Sequence, residues 1–215
     1  MEKKNPIGMR IGESTFCAGY LIFALVAGLV FLGGTGKFDK LCAIMILLLG
    51  GGDAFHLIPR ILVNIRGEAE KDTFWLGLGN LVSSVTMTIF YGILIYVIQE
   101  LKGQGAVPKW VETAVWILVF VRILLCLLPQ NRWFSSDKDP NWGLIRNVPF
   151  LVIGLLTVGY LFACGETLMA VLVIVSFACY MGVVLCVAKK PMMGMLMIPK
   201  TICYIWIVCL LLGRR

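Results

Sequence analysis

Charged side chains are scarce in this chain of 215 residues. They make up 14% of it, whereas hydrophobic residues make up 60% and the mean hydropathy is +0.91. Soluble globular proteins carry about 25% charged residues, so most of the surface of this protein is expected to face hydrocarbon rather than water. The shortage of charge excludes secreted disulfide scaffolds, soluble nucleic-acid binders and Rossmann-type enzymes. No linker between the apolar runs is long enough to fold as a soluble catalytic domain.

Histidines and paired cysteines are also nearly missing. His56 is the only histidine in the chain, which excludes a hydrolase that holds zinc with several histidines. The eight cysteines form no Cys-x-x-Cys pair, and nearly all of them lie inside apolar segments. Small packing residues are a better interpretation of such cysteines than disulfides or metal ligands. We therefore expect no metal and no cofactor.

Seven apolar segments take the place of the missing charge, and each is long enough to cross a bilayer as a helix. We expect an all-α polytopic membrane bundle of seven transmembrane helices, which forms one domain over residues 1–215 without a soluble domain. Residues 1–10 are basic, like the start of a signal peptide, but the apolar run that follows is too long for a signal core. We interpret that run as a retained first helix. The predicted segments are residues 14–34, 40–65, 73–99, 110–128, 144–164, 167–188 and 191–212.

The basic residues in the linkers and towards the ends of the segments predict the orientation. If the N-terminus is cytoplasmic, eleven of them lie on the cytoplasmic side and six on the other, which fits the positive-inside bias. The net charge of +7 is explained by basic residues beside anionic lipid, so no nucleic acid is expected as a partner. The eleven are Lys3, Lys4, Arg10, Arg60, Arg66, Lys71, Arg132, Lys138, Arg146, Lys189 and Lys190, and the six are Lys37, Lys40, Lys102, Lys109, Arg214 and Arg215.

One face of the second segment carries several polar side chains. Ionisable residues inside spanning segments are costly and usually face a bundle interior or a wet cavity. At about 100° of rotation per residue, four polar residues of this segment fall within a sector of roughly 80°. The sector presents an acid, an imidazole, a guanidinium and an amide, from Asp53, His56, Arg60 and Asn64.

Polar residues of four other segments fall at a similar depth. Asn80 and Ser84 lie in the cytoplasmic half of the third segment, in a polar stripe whose simpler interpretation is hydrogen bonding between helices. Arg122 lies at this level in the fourth segment, Asn147 in the fifth and Lys200 near the middle of the seventh. Five helices thus place polar groups at one level, which predicts a single buried site that opens towards the cytoplasm.

A purely structural role is the alternative for these groups. Asp53 would then form an internal salt-bridge network with Arg122 or Lys200 that only fixes the register of the helices. An unpaired carboxylate inside a membrane protein is costly. We therefore expect at least one of the two cations to lie within salt-bridge or single-water range of Asp53.

The residues around Asp53 resemble a known family. Residues 49–60 read Leu-Gly-Gly-Gly-Asp-Ala-Phe-His-Leu-Ile-Pro-Arg, which is similar to the Gly-Asp-Ala-x-x-x-x-Pro-Arg helix of the bacterial YhhN-like membrane proteins, the lysoplasmalogenase family. Residues 79–91 resemble the next helix of that family in the spacing of small and aromatic side chains, and residues 175–191 resemble its penultimate segment. The resemblance can be traced over residues 40–212. It implies an integral protein of the bacterial cytoplasmic (inner) membrane that acts on lysophospholipids.

The chain departs from the family in three respects. Members of the family have eight spans, one more than the seven predicted here, as if an N-terminal helix were absent. The second acidic residue of the family falls at Phe177, which cannot titrate, and the imidazole of His56 is not part of the family's pattern. If vinyl-ether hydrolysis depends on two carboxylates, this protein uses a different partner for Asp53 or does not catalyse the reaction.

The chemistry of vinyl-ether cleavage suggests roles for the candidate residues. An alkene carbon is protonated and water attacks the resulting oxocarbenium ion, so the site needs an acid and a base. Asp53, with cations near it, suits a base or an ion-pair partner, and His56, one turn away, could carry protons. These two are the candidate catalytic residues. The candidate substrate-binding residues, among which Arg122 and Lys200 would hold a head-group phosphate, are Arg60, Asn80, Ser84, Arg122, Asn147 and Lys200.

Two classes of function remain open. The first is a membrane-embedded hydrolase of ether bonds in lysophospholipids, with a membrane lipid or a lysophospholipid as its partner. The second is a non-enzymatic seven-helix carrier or sensor of a small anion, an ion or a lipid. The absence of clear inverted repeats weighs against a standard secondary transporter, and the lost second acid weighs against the enzyme.

The predicted orientation can be tested at the C-terminus. A reporter fused after Arg215 should be non-cytoplasmic, because seven spans follow a cytoplasmic N-terminus. Paired phosphatase and fluorescent-protein fusions measure this directly in cells. A cytoplasmic reporter would mean that the number of spans is even or that the N-terminus is external.

Overall fold

The computed structural model describes residues 7–67, 72–135, 139–186 and 191–215. Within these ranges the chain is helical with no strand, and seven helical stretches are long and apolar enough to cross a membrane. The prediction of an all-α bundle with seven such helices is confirmed, and the protein is an integral membrane protein. The α-helices are α1 (Ile7–Leu32), α2 (Lys37–Arg66), α3 (Asp72–Lys102), α4 (Lys109–Leu127), α5 (Pro140–Ile145), α6 (Val148–Ala163), α7 (Thr167–Cys186) and α8 (Met197–Leu212).

The fifth span is interrupted, whereas the sequence predicted one continuous segment from residue 144. It consists of α5 and α6, which meet at Arg146 and Asn147. Pro149 explains the break, because it has no N–H to donate to the carbonyl of Ile145 and its ring would clash with that carbonyl in a continuous helix. The break leaves Asn147 at the start of α6 with its side chain buried.

Two other boundaries differ from the predicted segments. α1 begins at Ile7 rather than at residue 14, so Glu13 lies inside the first span and not at its end. A 3-10 helix, Pro191–Leu196, precedes α8, where a single helix over residues 191–212 was predicted. The orientation stays a prediction, since six of the basic residues counted for it lie outside the described residues: Lys3, Lys4, Lys71, Lys138, Lys189 and Lys190.

Close contact between α2 and α3 positions the polar half of the bundle. A Cβ atom on Gly79 would lie 2.3 Å from the carbonyl oxygen of Phe55, and one on Gly52 would lie 1.9 Å from the hydroxyl of Thr86. Only glycine leaves room for helices to approach this closely, as small residues do in other membrane bundles. The contact brings the backbone of α3 against α2 beside His56.

Glu166 joins three elements at the end of the bundle opposite the start of α1. Its carboxylate accepts two hydrogen bonds of 2.6 Å from Arg214, just beyond α8, and lies 2.7 Å from Nζ of Lys102, at the end of α3. Only 5% of Glu166 is exposed, so these ion pairs are better shielded than ordinary surface pairs. The hydrogen bonds from Arg214 hold the pKa of Glu166 below its usual value; burial opposes this shift and the bond from Lys102 adds to it.

We expect Glu166→Gln to lower the free energy of unfolding by about 1–3 kcal/mol, because two cations lose a charged acceptor. The pKa of Glu166 is lower in the folded than in the unfolded state. Its stabilising contribution is therefore fully present above the unfolded pKa and is lost as the pH falls through the folded pKa. The difference in Tm between the wild type and Glu166→Gln, measured by thermal unfolding in detergent, should shrink on acidification.

Glu100→Gln is the matched control for this change. Glu100 pairs with Lys37, whose side chain is 69% exposed, and an exposed pair contributes about 0–1 kcal/mol. The Tm of Glu100→Gln should therefore stay close to that of the wild type. Equal losses in the two variants, or a difference that widens at low pH, would contradict a stabilising role of Glu166.

Candidate functional site

A cavity of about 510 Å³ lies inside the bundle, towards the end where α1 begins. Its walls come from α1, α2, α3, α4, α7 and α8, and from the chain between α4 and α6. Most of the polar groups expected at one level from the sequence meet here, although their roles stay a prediction. Seven of the eight candidate site residues line the cavity: Asp53, His56, Arg60, Asn80, Ser84, Arg122 and Lys200.

Asp53 is held by hydroxyl groups of the two neighbouring helices. Tyr20 of α1 donates to Oδ2 at 2.8 Å, and Ser83 of α3 donates to Oδ1 at 2.7 Å. Within the described part of the chain, no ion pair joins Asp53 to Arg122 or Lys200. The direct form of the predicted contact is therefore wrong, whereas a contact through one water stays a prediction. Asp53 ties three helices together through neutral groups and presents its carboxylate to the cavity.

Arg122 is fully buried among neutral partners. Only 1% of it is exposed, and its Nη1 donates to Thr88 at 2.8 Å while its Nη2 donates to Asn147 at 3.2 Å. The guanidinium lies 3.4 Å from the centre of the Phe150 ring, and among the described residues its Nε has no hydrogen-bond partner. The charge of Arg122 is thus solvated by a hydroxyl, an amide and an aromatic face, with no carboxylate beside it.

Asn147 is the one candidate residue that does not line the cavity. It lies behind Arg122, 1% exposed, and its Oδ1 also accepts a hydrogen bond of 2.8 Å from Tyr180 of α7. Its Nδ2 donates to the carbonyl of Gly143 at 2.8 Å. Asn147 therefore positions the guanidinium of Arg122 and the phenol of Tyr180, both of which line the cavity.

Lys200 completes a wall of positive charge. It is 9% exposed, and its Nζ lies 5.2 Å from the ring centre of Tyr180 and 5.5 Å from that of Tyr204, which are cation–π contacts. Arg146 also lines the cavity, stacked 4.2 Å from the ring centre of Trp133. We call Arg122, Arg146 and Lys200 the cationic wall; across the part of the chain that the structure describes, none of the three forms an ion pair with a carboxylate.

Arg60 belongs to the mouth of the cavity instead. Its Nε lies 2.5 Å from Oε1 of Glu13 on α1, so its charge is already paired. Its Nη2 would lie 3.9 Å from a Cβ atom on Gly194 in the 3-10 helix before α8. His56 lies on α2 between Asp53 and this pair and also lines the cavity.

The two remaining candidates lie on α3. Ser84 donates its hydroxyl to the carbonyl of Asn80 at 2.6 Å and its own carbonyl accepts from Thr88 at 2.6 Å. The hydroxyl proton of Ser84 is therefore used within its own helix, and not between helices as the simpler interpretation of the polar stripe predicts. The side-chain amide of Asn80 lines the cavity and is the more versatile of the two towards a ligand.

Several cavity residues were not proposed from the sequence. Tyr20 and Tyr180 lie in largely apolar helices, where a tyrosine is ordinary, and Arg146 was counted only among the basic residues that predict the orientation. A usable signal existed on α1, because Glu13, Cys17 and Tyr20 are spaced by four and three residues and so share one face. That face meets Asp53 and Arg60 in the structure.

Phe177 occupies the position at which the resemblance places a second acid. It is 8% exposed and packs at 4.7 Å from the ring centre of Phe150 and 5.4 Å from that of Tyr91. A Cβ atom on Gly154 would lie 2.5 Å from its ring. Phe177 thus fills an aromatic cluster next to the cavity, and no titratable group takes its place there.

Comparison of the chain with models of known families, with curated proteins and with solved structures finds no match. The likeness to the lysoplasmalogenase family therefore rests on the residues around Asp53 quoted above. The cavity itself provides the remaining arguments about function.

Gly79→Ala tests whether the close contact of α2 and α3 holds the site together. The added methyl group would overlap the backbone at Phe55 and His56, so we expect the helices to separate and the Tm to fall. Gly51→Ala is the control, because a Cβ atom there meets nothing within 4 Å and alanine is favoured over glycine in a helix by roughly 0.5–1 kcal/mol. A Gly79→Ala variant as stable as Gly51→Ala would contradict the contact.

Proposed function

We propose that this integral membrane protein binds a single-chain anionic phospholipid in the cavity and hydrolyses its ether bond, as a lysoplasmalogenase-like hydrolase. The observation that carries the proposal is one cavity that is lined both by the cationic wall and by Asp53 and His56. A lysophospholipid has matching groups, since an anionic phosphate lies a few bonds away from the linkage to its chain.

The cationic wall supports the binding of a phosphate group. A guanidinium and an ammonium that are buried without an ion pair, as Arg122 and Lys200 are among the described residues, are costly in a membrane, and charge-assisted hydrogen bonds to phosphate are the strong contacts such groups make. Arg146 repels Arg122 electrostatically, and Lys200 is attracted by Asp53 and, to a smaller extent, repelled by Arg122. A phosphate between Arg122 and Lys200 would relieve this repulsion.

Asp53 and His56 suit the hydrolysis of a vinyl ether. Protonation of the alkene carbon gives an oxocarbenium ion, and attack by water forms a hemiacetal that separates into an aldehyde and an alcohol. Both oxygens of Asp53 accept hydrogen bonds, which suits a base that takes the proton of the attacking water. His56, one turn along α2, is the proton donor to the alkene carbon in this scheme.

A carrier or sensor of an anion or a lipid is the second candidate, and two observations favour it. Phe177 leaves no second acid at the position that the resemblance implies. Glu13 supplies a further carboxylate to the cavity, but it is ion-paired with Arg60 at 2.5 Å. Binding at the cationic wall requires none of the acid–base chemistry assigned to Asp53 and His56.

Asp53→Asn separates chemistry from packing. The amide keeps the size and much of the hydrogen bonding of Asp53 but cannot accept a proton from water. We expect the variant to lose roughly 10²–10⁴-fold in rate, the usual contribution of general acid–base catalysis. The measurement is the release of aldehyde from lysoplasmalogens, beside a panel of ester lysophospholipids, by purified protein in detergent.

Asp39→Asn makes the same chemical change at the other end of the bundle, where Asp39 lies 3.3 Å from Nε of Arg215. This control should keep the rate of the wild type. Full activity in Asp53→Asn would contradict the mechanism. A wild type that binds the lipids and releases no product would favour the carrier or sensor.

A further inference from the structure

We infer that the hydrocarbon chain of the ligand leaves the cavity through the gap between α1 and α8 and extends into the bilayer. This inference rests on the proposed binding of a phosphate head group at the cationic wall. It deepens that proposal, because it distinguishes a lipid in the membrane from a water-soluble phosphate.

α1 and α8 both border the cavity. Both helices begin at the same end of the bundle, since six spans separate their starts. They meet near Tyr20 and Tyr204, which are each 3% exposed and act electrostatically on each other. Nearer their starts, side chains of both helices line the cavity. The cavity therefore lies beside both helices near their starts.

The boundary of α1 with α2 is closed by polar contacts at three levels. Tyr20 donates to Asp53 at 2.8 Å, and Glu13 pairs with Arg60 at 2.5 Å. Arg10 donates to the backbone carbonyl of Asn64. No hydrogen bond or ion pair links α1 to α8 within the described ranges. The hydrocarbon chain of the ligand can therefore pass between these two helices without breaking a polar contact.

The gap is lined by side chains that suit a hydrocarbon chain. They are apolar, several are methionines, and Met195 is 44% exposed although it also lines the cavity. The gap therefore reaches the outer surface of the bundle. Methionine adapts its shape readily, so such a lining accepts chains that differ in length. The lining consists of Met9 and Phe16 on α1 and Met195, Met197 and Ile198 beside or on α8.

The charge and the size of the site select the occupant. Lys200 follows Met197 by one turn of α8, so a chain in the gap places its head group beside the ammonium of Lys200. A cavity of about 510 Å³ falls within the ~300–1,000 Å³ of sites that enclose one small ligand. The fitting partner is an anionic amphiphile whose single chain occupies the gap.

We test the inference by comparing the binding of two probes, palmitoyl lysophosphatidate and glycerol phosphate. Glycerol phosphate has the same phosphate group but no long chain. Both are titrated against the full-length protein in nanodiscs. Phe16→Trp and Ile198→Trp should each weaken lysophosphatidate binding at least about tenfold, because each methylene displaced from apolar contact costs roughly a factor of four in affinity. Their affinity for glycerol phosphate should stay within about twofold of the wild type, since the head-group site is unchanged.

Two matched controls lie on lipid-facing surfaces outside the cavity. Phe120→Trp changes a residue of α4 that is 64% exposed, and Ile202→Trp changes one of α8 that is 44% exposed. Both should bind lysophosphatidate like the wild type. Thermal unfolding of all four tryptophan variants verifies that they fold, and a loss of affinity in one well-folded gap variant suffices as support.

Three results would overturn the inference. Equal affinity of the wild type for the two probes would show that the chain makes no contact. The second result is that lysophosphatidate binds unchanged to both gap variants but no longer binds to Lys200→Met. This would support the head-group site and contradict the exit of the chain through the gap. Absence of binding of either probe to the wild type would reject the head-group site of the proposed function, and the gap with it.

Discussion

Positive charge that is buried without an ion pair, within the residues that the structure describes, is the constraint on which the arrangement of this bundle depends. Arg122 is solvated by Thr88, Asn147 and the ring of Phe150, and Lys200 by two tyrosine rings. Neutral oxygens and aromatic faces offset part of the cost of removing these cations from water. An anion in the cavity would offset more of it, which is why the site is best understood through its ligand.

The pairing of cations with acids differs between the two ends of the bundle. At the end opposite the start of α1, cations are paired with acids, as Arg214 and Lys102 are with Glu166. At the other end, Arg60 and Arg66 are also paired with acids, whereas the cationic wall faces a cavity. The paired end closes α3, α7 and α8 into a rigid frame, and such a frame is what a precisely held site requires.

Much of this architecture could be predicted from the sequence, because a bilayer fixes the length of a spanning helix and a helix fixes which residues share a face. These two rules suffice to bring Asp53, Lys200 and Arg122 to one level. They do not reveal the hydroxyl partners of Asp53, since these depend on how tightly Gly79 lets α3 approach α2. Tyr20 shares a face of α1 with Glu13, but only the packing of the helices shows that this face meets Asp53.

Pro149 is the sequence signal for the break in the fifth span. An assignment of spans from hydropathy alone does not take this signal into account. A helix drawn only by its apolar residues places Arg146 in the first turn of one continuous span, whereas the structure has it at the break, stacked on Trp133 at the cavity. The central claim is that an anion completes the cationic wall. A cryo-electron microscopy structure with lysophosphatidate tests it most directly: phosphate density within hydrogen-bonding distance of Lys200 Nζ and the Arg122 guanidinium would support the claim, whereas an anion-free wall with Lys200 paired to Asp53 would contradict it.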